Sequence, residues 1–130
     1  MPRRCPCGRG TFESCCGPLL AGARAATTAE ELMRSRYTAY VEGAVDYLIA
    51  TTCAESRARI DRDALVAYCR GLRGMSLQIV ETVAGGPEDT TGVVVFAAAL
   101  KLHGRRFVQR ERSRFVREAG RWVYEGGDVQ

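Results

Sequence analysis

The sequence lacks any long hydrophobic run. Its longest uninterrupted apolar stretch, residues 93–100, contains eight residues, whereas a membrane-spanning helix needs about 20. The residues that follow Met1 lead into no apolar segment of the kind found in secretory signals. We therefore expect a cytoplasmic protein with no membrane segment.

Histidine, lysine and blocks of like charge are also scarce. The 130 residues include one histidine, one lysine and 18 arginines against 15 acidic residues, which gives a net charge of +4. A single histidine offers little basis for a cysteine–histidine nucleophile. The sequence contains no phosphate-binding loop, no glycine-rich dinucleotide motif and no H-E-x-x-H motif. The small basic excess identifies no partner by itself.

Cysteine, by contrast, is abundant, and four of the six cysteines lie near the N-terminus, at Cys5, Cys7, Cys15 and Cys16. A disulfide framework normally accompanies a secretory signal and is spread through the chain. Two close pairs separated by a seven-residue loop suit one tetrahedral ion, and four sulfurs leave no open position for water. The spacing predicts a structural zinc site, with disulfides or unligated thiols as the alternative.

Composition divides the chain into two parts. Residues 1–26 are rich in Cys, Gly, Pro and Arg and have no apolar periodicity, so they are predicted to form a zinc knuckle and a linker. Residues 27–130 are predicted to form the main domain, with helices over 29–42, 45–52 and 61–72. Strands are predicted over 77–83, 92–102, 105–117 and 121–124. Three helices followed by a four-stranded antiparallel meander indicate an α+β fold with a curved sheet against the helices.

Alternation along the third strand separates two sets of side chains. Gln109, Glu111 and Ser113 lie on the side predicted to face the helices, while Arg110, Arg112 and Arg114 lie on the other. A buried carboxylate needs a partner, and we expect Arg36, from the helix face that also carries Tyr40, to pair with Glu111. Two interpretations remain open for this interior: a structural network and a ligand pocket. The pocket candidates are Arg36, Tyr40, Gln109, Glu111 and Ser113.

Other conspicuous residues are interpreted as structural. His103 is predicted to lie in a hairpin turn, and Cys53 and Cys69 are predicted to be small core residues. Trp122 and Tyr124 are assigned to the core rather than to a stacking platform. The row of Arg110, Arg112 and Arg114 is predicted to be a solvated sheet face, because no aromatic residue alternates with the arginines on that face.

Two sets of motifs resemble known families. Cys5-Pro6-Cys7-Gly8 followed by Cys15-Cys16 resembles the SEC-C zinc knuckle. The segments 32–37, 46–48 and 111–115, together with Gly120-Arg121-Trp122, resemble successive signatures of the YchJ family of bacterial proteins. That resemblance implies a main domain with the nuclear transport factor 2-like (NTF2-like), or cystatin-like, cone fold, which agrees with the predicted order of helices and strands.

Three functions are compatible with these features. The leading hypothesis is a non-enzymatic binding or adaptor protein whose knuckle recognises a macromolecule, a protein partner in the first instance, and whose cone holds a small ligand or forms a homodimer. The alternative is an isomerase- or hydrolase-like enzyme that uses Glu111 in the cone. The third is an RNA- or ribosome-associated factor, which requires the knuckle and the arginine row to form one basic surface. An enzyme requires a roomy cavity with an unpaired Glu111, whereas an adaptor tolerates a filled cone.

Overall fold

The chain passes from the knuckle into a run of helices and then into four strands, which confirms the predicted α+β order. The computed structural model describes residues 2–130. After a single 3-10 turn, Phe12–Ser14, the elements are α1 (Cys16–Leu20), α2 (Ala29–Glu42), α3 (Val45–Ala50), α4 (Ala54–Arg57), α5 (Arg62–Gly71), β1 (Leu72–Ala84), β2 (Thr91–Leu102), β3 (Arg105–Glu118) and β4 (Arg121–Val129). Within the described residues, every helix is too short or too polar to cross a membrane.

The four strands form one antiparallel sheet in the order β1-β2-β3-β4, which confirms the predicted meander. The register pairs Ala98 with Gln109, Phe96 with Glu111 and Val94 with Ser113, so one face of β2 and β3 carries all six side chains. Register shifts interrupt β1 twice and the β3–β4 pairing once. Such irregularities bend and twist a sheet. The face of the sheet that α2 covers carries the pocket candidates Gln109, Glu111 and Ser113.

Helix α2 begins and ends at residues with clear capping chemistry. The Thr28 hydroxyl accepts a hydrogen bond from the Glu31 amide at 3.0 Å, and the Glu31 carboxylate accepts one from the Thr27 amide at 2.8 Å. At the other end, Gly43 adopts a left-handed conformation with φ of 74°, which stops the helix. The capped helix packs on β1, β2 and β4 and covers the inner face of the sheet.

The knuckle shares its buried core with the rest of the chain. The largest hydrophobic cluster joins the knuckle residues Cys5, Cys7 and Cys16 to side chains of α2 and of the sheet, among them Leu32 and Phe115. A smaller cluster lies between α2, α3 and α5. The predicted boundary between residues 26 and 27 therefore marks a change in composition, while the buried core continues across it.

Several element boundaries differ from the prediction. Two short helices, α1 and α4, join the three predicted ones, because helices of one turn carry too few residues for a periodic pattern. Strand β1 begins at Leu72 instead of residue 77, and β4 continues to Val129 instead of ending at residue 124. Gly74 caused the late predicted start of β1, because glycine is unfavourable in strands. In the structure a Cβ at this position would overlap Val41 and Tyr37. Glycine therefore allows α2 to approach the strand closely.

Candidate functional site

The four N-terminal cysteines converge into a compact sulfur cluster. Their sulfur atoms all lie within 4.8 Å of one another, with 3.6 Å between Cys7 and Cys15 and 3.9 Å between Cys15 and Cys16. A tetrahedral ion with metal–sulfur bonds of about 2.3 Å holds its sulfurs about 3.8 Å apart, whereas a disulfide requires about 2.05 Å. All six cysteines are free. The cluster therefore has the geometry of a metal site.

The protonation chemistry of the cluster also fits a cation. Hydrogen bonds, first from Cys16 and then from the Arg9 backbone and the other thiols, outweigh burial and lower the pKa of Cys7 to about 4. The same hydrogen bond with Cys7, together with burial, raises the pKa of Cys16. Burial and the neighbouring Cys7 thiolate raise the pKa of Cys15. Without a cation, ionisation of the Cys7 thiol makes ionisation of the neighbouring thiols less favourable. A bound metal ion would stabilise all four sulfurs as thiolates.

Helix α2 supports the knuckle directly. Cys5, Cys7 and Cys16 are at most 3% exposed. The Cys5 sulfur lies 3.8 Å from the Thr38 hydroxyl, and the Arg34 guanidinium donates to the Cys7 carbonyl at 3.0 Å. One helix thus packs against the sulfur cluster and also contributes Arg36 and Tyr40 to the interior of the cone.

A cavity of about 250 Å³ lies between α2, α5 and the inner face of the sheet. The five residues that the sequence analysis singled out for a pocket, Arg36, Tyr40, Gln109, Glu111 and Ser113, all line it, together with Tyr124. The remaining wall is apolar or aromatic and consists of Met33, Tyr37, Leu65, Tyr68, Leu72, Phe96, Ala98 and Leu100. A mostly apolar wall with a few grouped polar side chains is the usual composition of a small-molecule site.

Glu111 is bound by neutral donors rather than by an arginine. Its carboxylate accepts hydrogen bonds from the Ser113 hydroxyl at 2.6 Å, the Tyr124 hydroxyl at 2.9 Å and the Gln109 amide at 3.1 Å. The expected Arg36–Glu111 ion pair is therefore wrong. The three donors occupy three of about four acceptor positions on a carboxylate, so the network itself satisfies the buried charge.

Arg36 donates its hydrogen bonds to residues in and just after α3 and not to Glu111. Its Nη1 donates to the Leu48 carbonyl at 3.0 Å and to the hydroxyls of Thr51 and Thr52 at 2.8 and 3.4 Å. Its guanidinium carbon lies 4.7 Å from the centre of the Tyr124 ring, within the range of a cation–π interaction. The Leu48 carbonyl and the hydroxyls of Thr51 and Thr52 are therefore the partners of this arginine, in place of the expected carboxylate.

Tyr124 lines the cavity but is absent from the predicted pocket residues, because its position on the last strand predicted only a core side chain. The β3–β4 register pairs it with Phe115 beside a bulge, and its hydroxyl reaches the Glu111 carboxylate while its ring contacts Arg36. Burial, with the adjoining carboxylate, raises the pKa of Tyr124, so the hydroxyl stays protonated and donates. Alternation within the predicted strand 121–124 assigned Tyr124 to the interior, but its contact with Glu111 depends on the β3–β4 register, which no local pattern reveals.

The remaining singled-out residues have structural surroundings. His103 lies in the turn between β2 and β3 and is exposed, with φ of 50°, and Cys53 and Cys69 are buried. The Trp122 indole is buried and donates to the Thr27 carbonyl at 3.1 Å. The arginine row of β3 lies on the outer face of the sheet. The knuckle packs on α2, which covers the opposite face, so these two basic regions form separate surfaces.

Comparison with known proteins places these features in a family. The family model described as "YchJ, middle NTF2-like domain" matches residues 28–127. A UPF0225 protein of Geobacter sulfurreducens is 41% identical over 128 residues, which cover 98% of this chain and 80% of that protein. A UPF0225 protein of Streptomyces coelicolor is 44% identical, with coverage of 95% and 94%. The solution structure of a SEC-C motif containing protein from Rhodopseudomonas palustris superposes with a TM-score of 0.87 at 36% identity, over 97% of this chain and 98% of that one.

Proposed function

The chain belongs to the YchJ family of proteins with an NTF2-like domain, and from this premise we propose that it is a cytoplasmic, zinc-containing protein that binds a small molecule in its cone. The observation that carries the proposal is the cavity of about 250 Å³, with aromatic walls and a group of buried polar residues at one side. In this proposal the zinc is structural and the cavity is the site of function.

The donor set supports zinc as the metal. Four thiolates form a ligand set typical of structural zinc sites, and the spacing of 3.6 to 3.9 Å between neighbouring sulfurs matches a tetrahedral shell. Cys5, Cys7, Cys15 and Cys16 would fill that shell and leave no position for a substrate or a water. The knuckle has few apolar residues of its own, so the ion would hold it in the shape that packs on α2.

The state of Glu111 favours binding over catalysis. The enzyme hypothesis requires a carboxylate that is free to accept a proton from a substrate. Glu111 instead accepts three hydrogen bonds from protein side chains, which leave about one acceptor position for a substrate proton. The carboxylate network is better suited to fix the inner face of β3 and β4 and so to shape the cavity.

Two further hypotheses from the sequence have less support. An RNA-binding role calls for one continuous basic surface, but the knuckle and the outer arginine row lie on different sides of the sheet. A protein partner for the knuckle and homodimerisation remain predictions from the sequence. The cavity is the feature with the most specific chemistry, and it therefore decides the proposal.

Binding of a neutral fluorescent probe tests the proposed site. We expect N-phenyl-1-naphthylamine to gain fluorescence with the full zinc-loaded chain and to lose it in Ala98→Phe, because Ala98 is buried on the cavity wall and a phenyl ring would fill the space. The matched control is Ala97→Phe, whose side chain lies on the outer face opposite Arg110. Circular dichroism and zinc content verify that both variants fold. Equal binding by the two variants would place the probe elsewhere and contradict the proposal.

A further inference from the structure

The Arg36 guanidinium lies in the interior of the cone with part of its hydrogen-bonding capacity unsatisfied by protein. The residue is 6% exposed and lines the cavity. Only its Nη1 donates to protein, so within residues 2–130 its Nε and Nη2 lack an acceptor. No side-chain nitrogen or oxygen in that range is both fully buried and without a partner. The two unused nitrogens therefore retain some accessible surface, and the cavity is the open space that Arg36 lines.

The described residues place no carboxylate in direct contact with this guanidinium. In the described chain, no carboxylate oxygen lies within 4.0 Å of Arg36. Glu111, the only acidic residue on the cavity wall, is held by its three neutral donors. Arginine keeps its charge in proteins, and a buried charge without a counterion in contact is costly. A bound anion would offset that cost and take up the free donors.

The residues around Arg36 indicate the chemical nature of the rest of the ligand. Tyr40 lies one helical turn further along α2, and its hydroxyl makes no hydrogen bond to residues 2–130, so it offers a second donor on the same side of the cavity. Its ring contacts Tyr68 edge to face, with 6.1 Å between ring centres. Phe96, Leu65 and Leu100 extend this apolar wall. An anionic group at Arg36 and Tyr40 would thus be joined to an apolar or aromatic body.

Glu111 limits the charge of that anion. Its carboxylate faces the same cavity, and it attracts Arg36 electrostatically, so it repels a second negative charge placed there. A single negative charge matches the charge of Arg36, whereas a phosphate dianion carries a second charge that no group on the cavity wall balances and has a larger desolvation cost. The geometry also suits a planar carboxylate, because Nε and Nη2 of a guanidinium form a fork that matches two carboxylate oxygens.

We infer that the cavity binds a small apolar monocarboxylate, with its carboxylate on Nε and Nη2 of Arg36 and the Tyr40 hydroxyl, and its body against the aromatic wall. This inference rests on the proposed function, that the cavity holds a small molecule, and adds the chemical class of the ligand.

Three probes of similar shape and different charge test the inference by calorimetry with the full zinc-loaded chain. We expect phenylacetate to bind at least tenfold more tightly than phenylacetamide, and 2-phenylethylamine to bind more weakly than either. Inorganic phosphate should not displace phenylacetate at equal concentration. Tight binding of the amine, equal binding of acid and amide, or displacement by phosphate would each overturn the carboxylate assignment.

Two variants test whether Tyr40 and Arg36 cause the preference for phenylacetate over phenylacetamide. Tyr40→Phe removes one donor and should weaken phenylacetate about three- to tenfold while leaving phenylacetamide unchanged. Arg36→Gln should abolish the preference for the acid, and the matched control Arg110→Gln, which removes the same charge from the exposed outer face, should not. If Arg36→Gln fails to fold, Tyr40→Phe decides alone, and an unchanged acid preference in it overturns the inference. Failure of the neutral fluorescent probe to bind the unsubstituted chain would instead refute the proposed function itself.

Discussion

Replacing Glu111 with glutamine tests whether the buried polar network stabilises the fold. The substitution keeps the length and shape of the side chain, but it removes the charge and converts one acceptor oxygen into a donor. The network consists of hydrogen bonds from Ser113, Tyr124 and Gln109 at 2.6, 2.9 and 3.1 Å. Each of these bonds is affected, so the free energy of unfolding should fall.

The size of the loss follows from the three contacts. The glutamine oxygen can replace the oxygen that accepts from Ser113 and Tyr124, and the Gln109 amide can turn to present its own oxygen to the new donor. Hydrogen bonds to a charged group contribute about 1.5–3 kcal/mol, and neutral ones about 0.5–1.5 kcal/mol. Three bonds that pass from charged to neutral therefore lose about 1 kcal/mol each, which gives an expected loss of about 3 kcal/mol.

Urea unfolding and thermal melts at pH 7 measure this loss. For a chain of this length we expect roughly 3–5 °C per kcal/mol, so the Glu111→Gln melting temperature should fall by about 9–15 °C. Glu81→Gln is the matched control, because Glu81 is exposed on β1 and its removal should change stability by less than about 0.5 kcal/mol. A Glu111→Gln protein as stable as the parent, or more stable, would refute a stabilising role for the network and return Glu111 to the enzyme hypothesis.

Three further predictions concern the same site, the alkaline limit of stability and the knuckle. Gly127→Ala should destabilise by at least about 2 kcal/mol in urea unfolding, because a Cβ there overlaps the Glu111 carboxylate, whereas Gly126→Ala meets only an exposed arginine side chain and should cost much less. Burial, with the adjoining carboxylate, raises the pKa of Tyr124 in the folded state above its value in the unfolded chain. The Tyr124 contribution to the free energy of unfolding should therefore be complete below about pH 10 and be lost as the pH rises toward the folded-state pKa. In Tyr124→Phe, urea unfolding should show a smaller decline in stability over that pH range. Substituting both Cys7 and Cys15 with Ser should remove the metal in elemental analysis and lower the melting temperature of the whole chain, since the knuckle is part of the main core; retained zinc would contradict the assignment.

The parts of the fold that sequence alone predicts are those with repeated local signals. Helix α2 begins at the predicted residue, because Thr28 and Glu31 form its cap, and it ends at Gly43. The strands follow alternation and turn residues, and the same alternation put Gln109, Glu111 and Ser113 on the inner face of β3. A period of two residues is enough to assign faces once one face is known to be buried.

The details that sequence could not supply depend on long-range packing. Nothing in the sequence pattern indicated that the Leu48 carbonyl and the hydroxyls of Thr51 and Thr52 would accept from Arg36, so charge complementarity suggested Glu111 instead. Glycines at positions 74, 126 and 127 weakened the sequence signals for β-strands. Gly74 and Gly127 nevertheless lie where a Cβ atom would overlap a neighbouring side chain. The cavity likewise depends on the spacing between helix and sheet, which no local segment encodes.

Carbon-13 methyl NMR of methionine tests the central claim, that the cone cavity is the binding site, most directly. Met33 lines the cavity, whereas Met75 is 48% exposed on β1, so the two methyl groups report on the inside and the outside of the same domain. On titration with N-phenyl-1-naphthylamine we predict a saturable shift of the Met33 methyl signal and no shift of the Met75 signal. A shift of Met75 alone, or no shift of Met33 at a probe concentration that saturates fluorescence, would contradict the account.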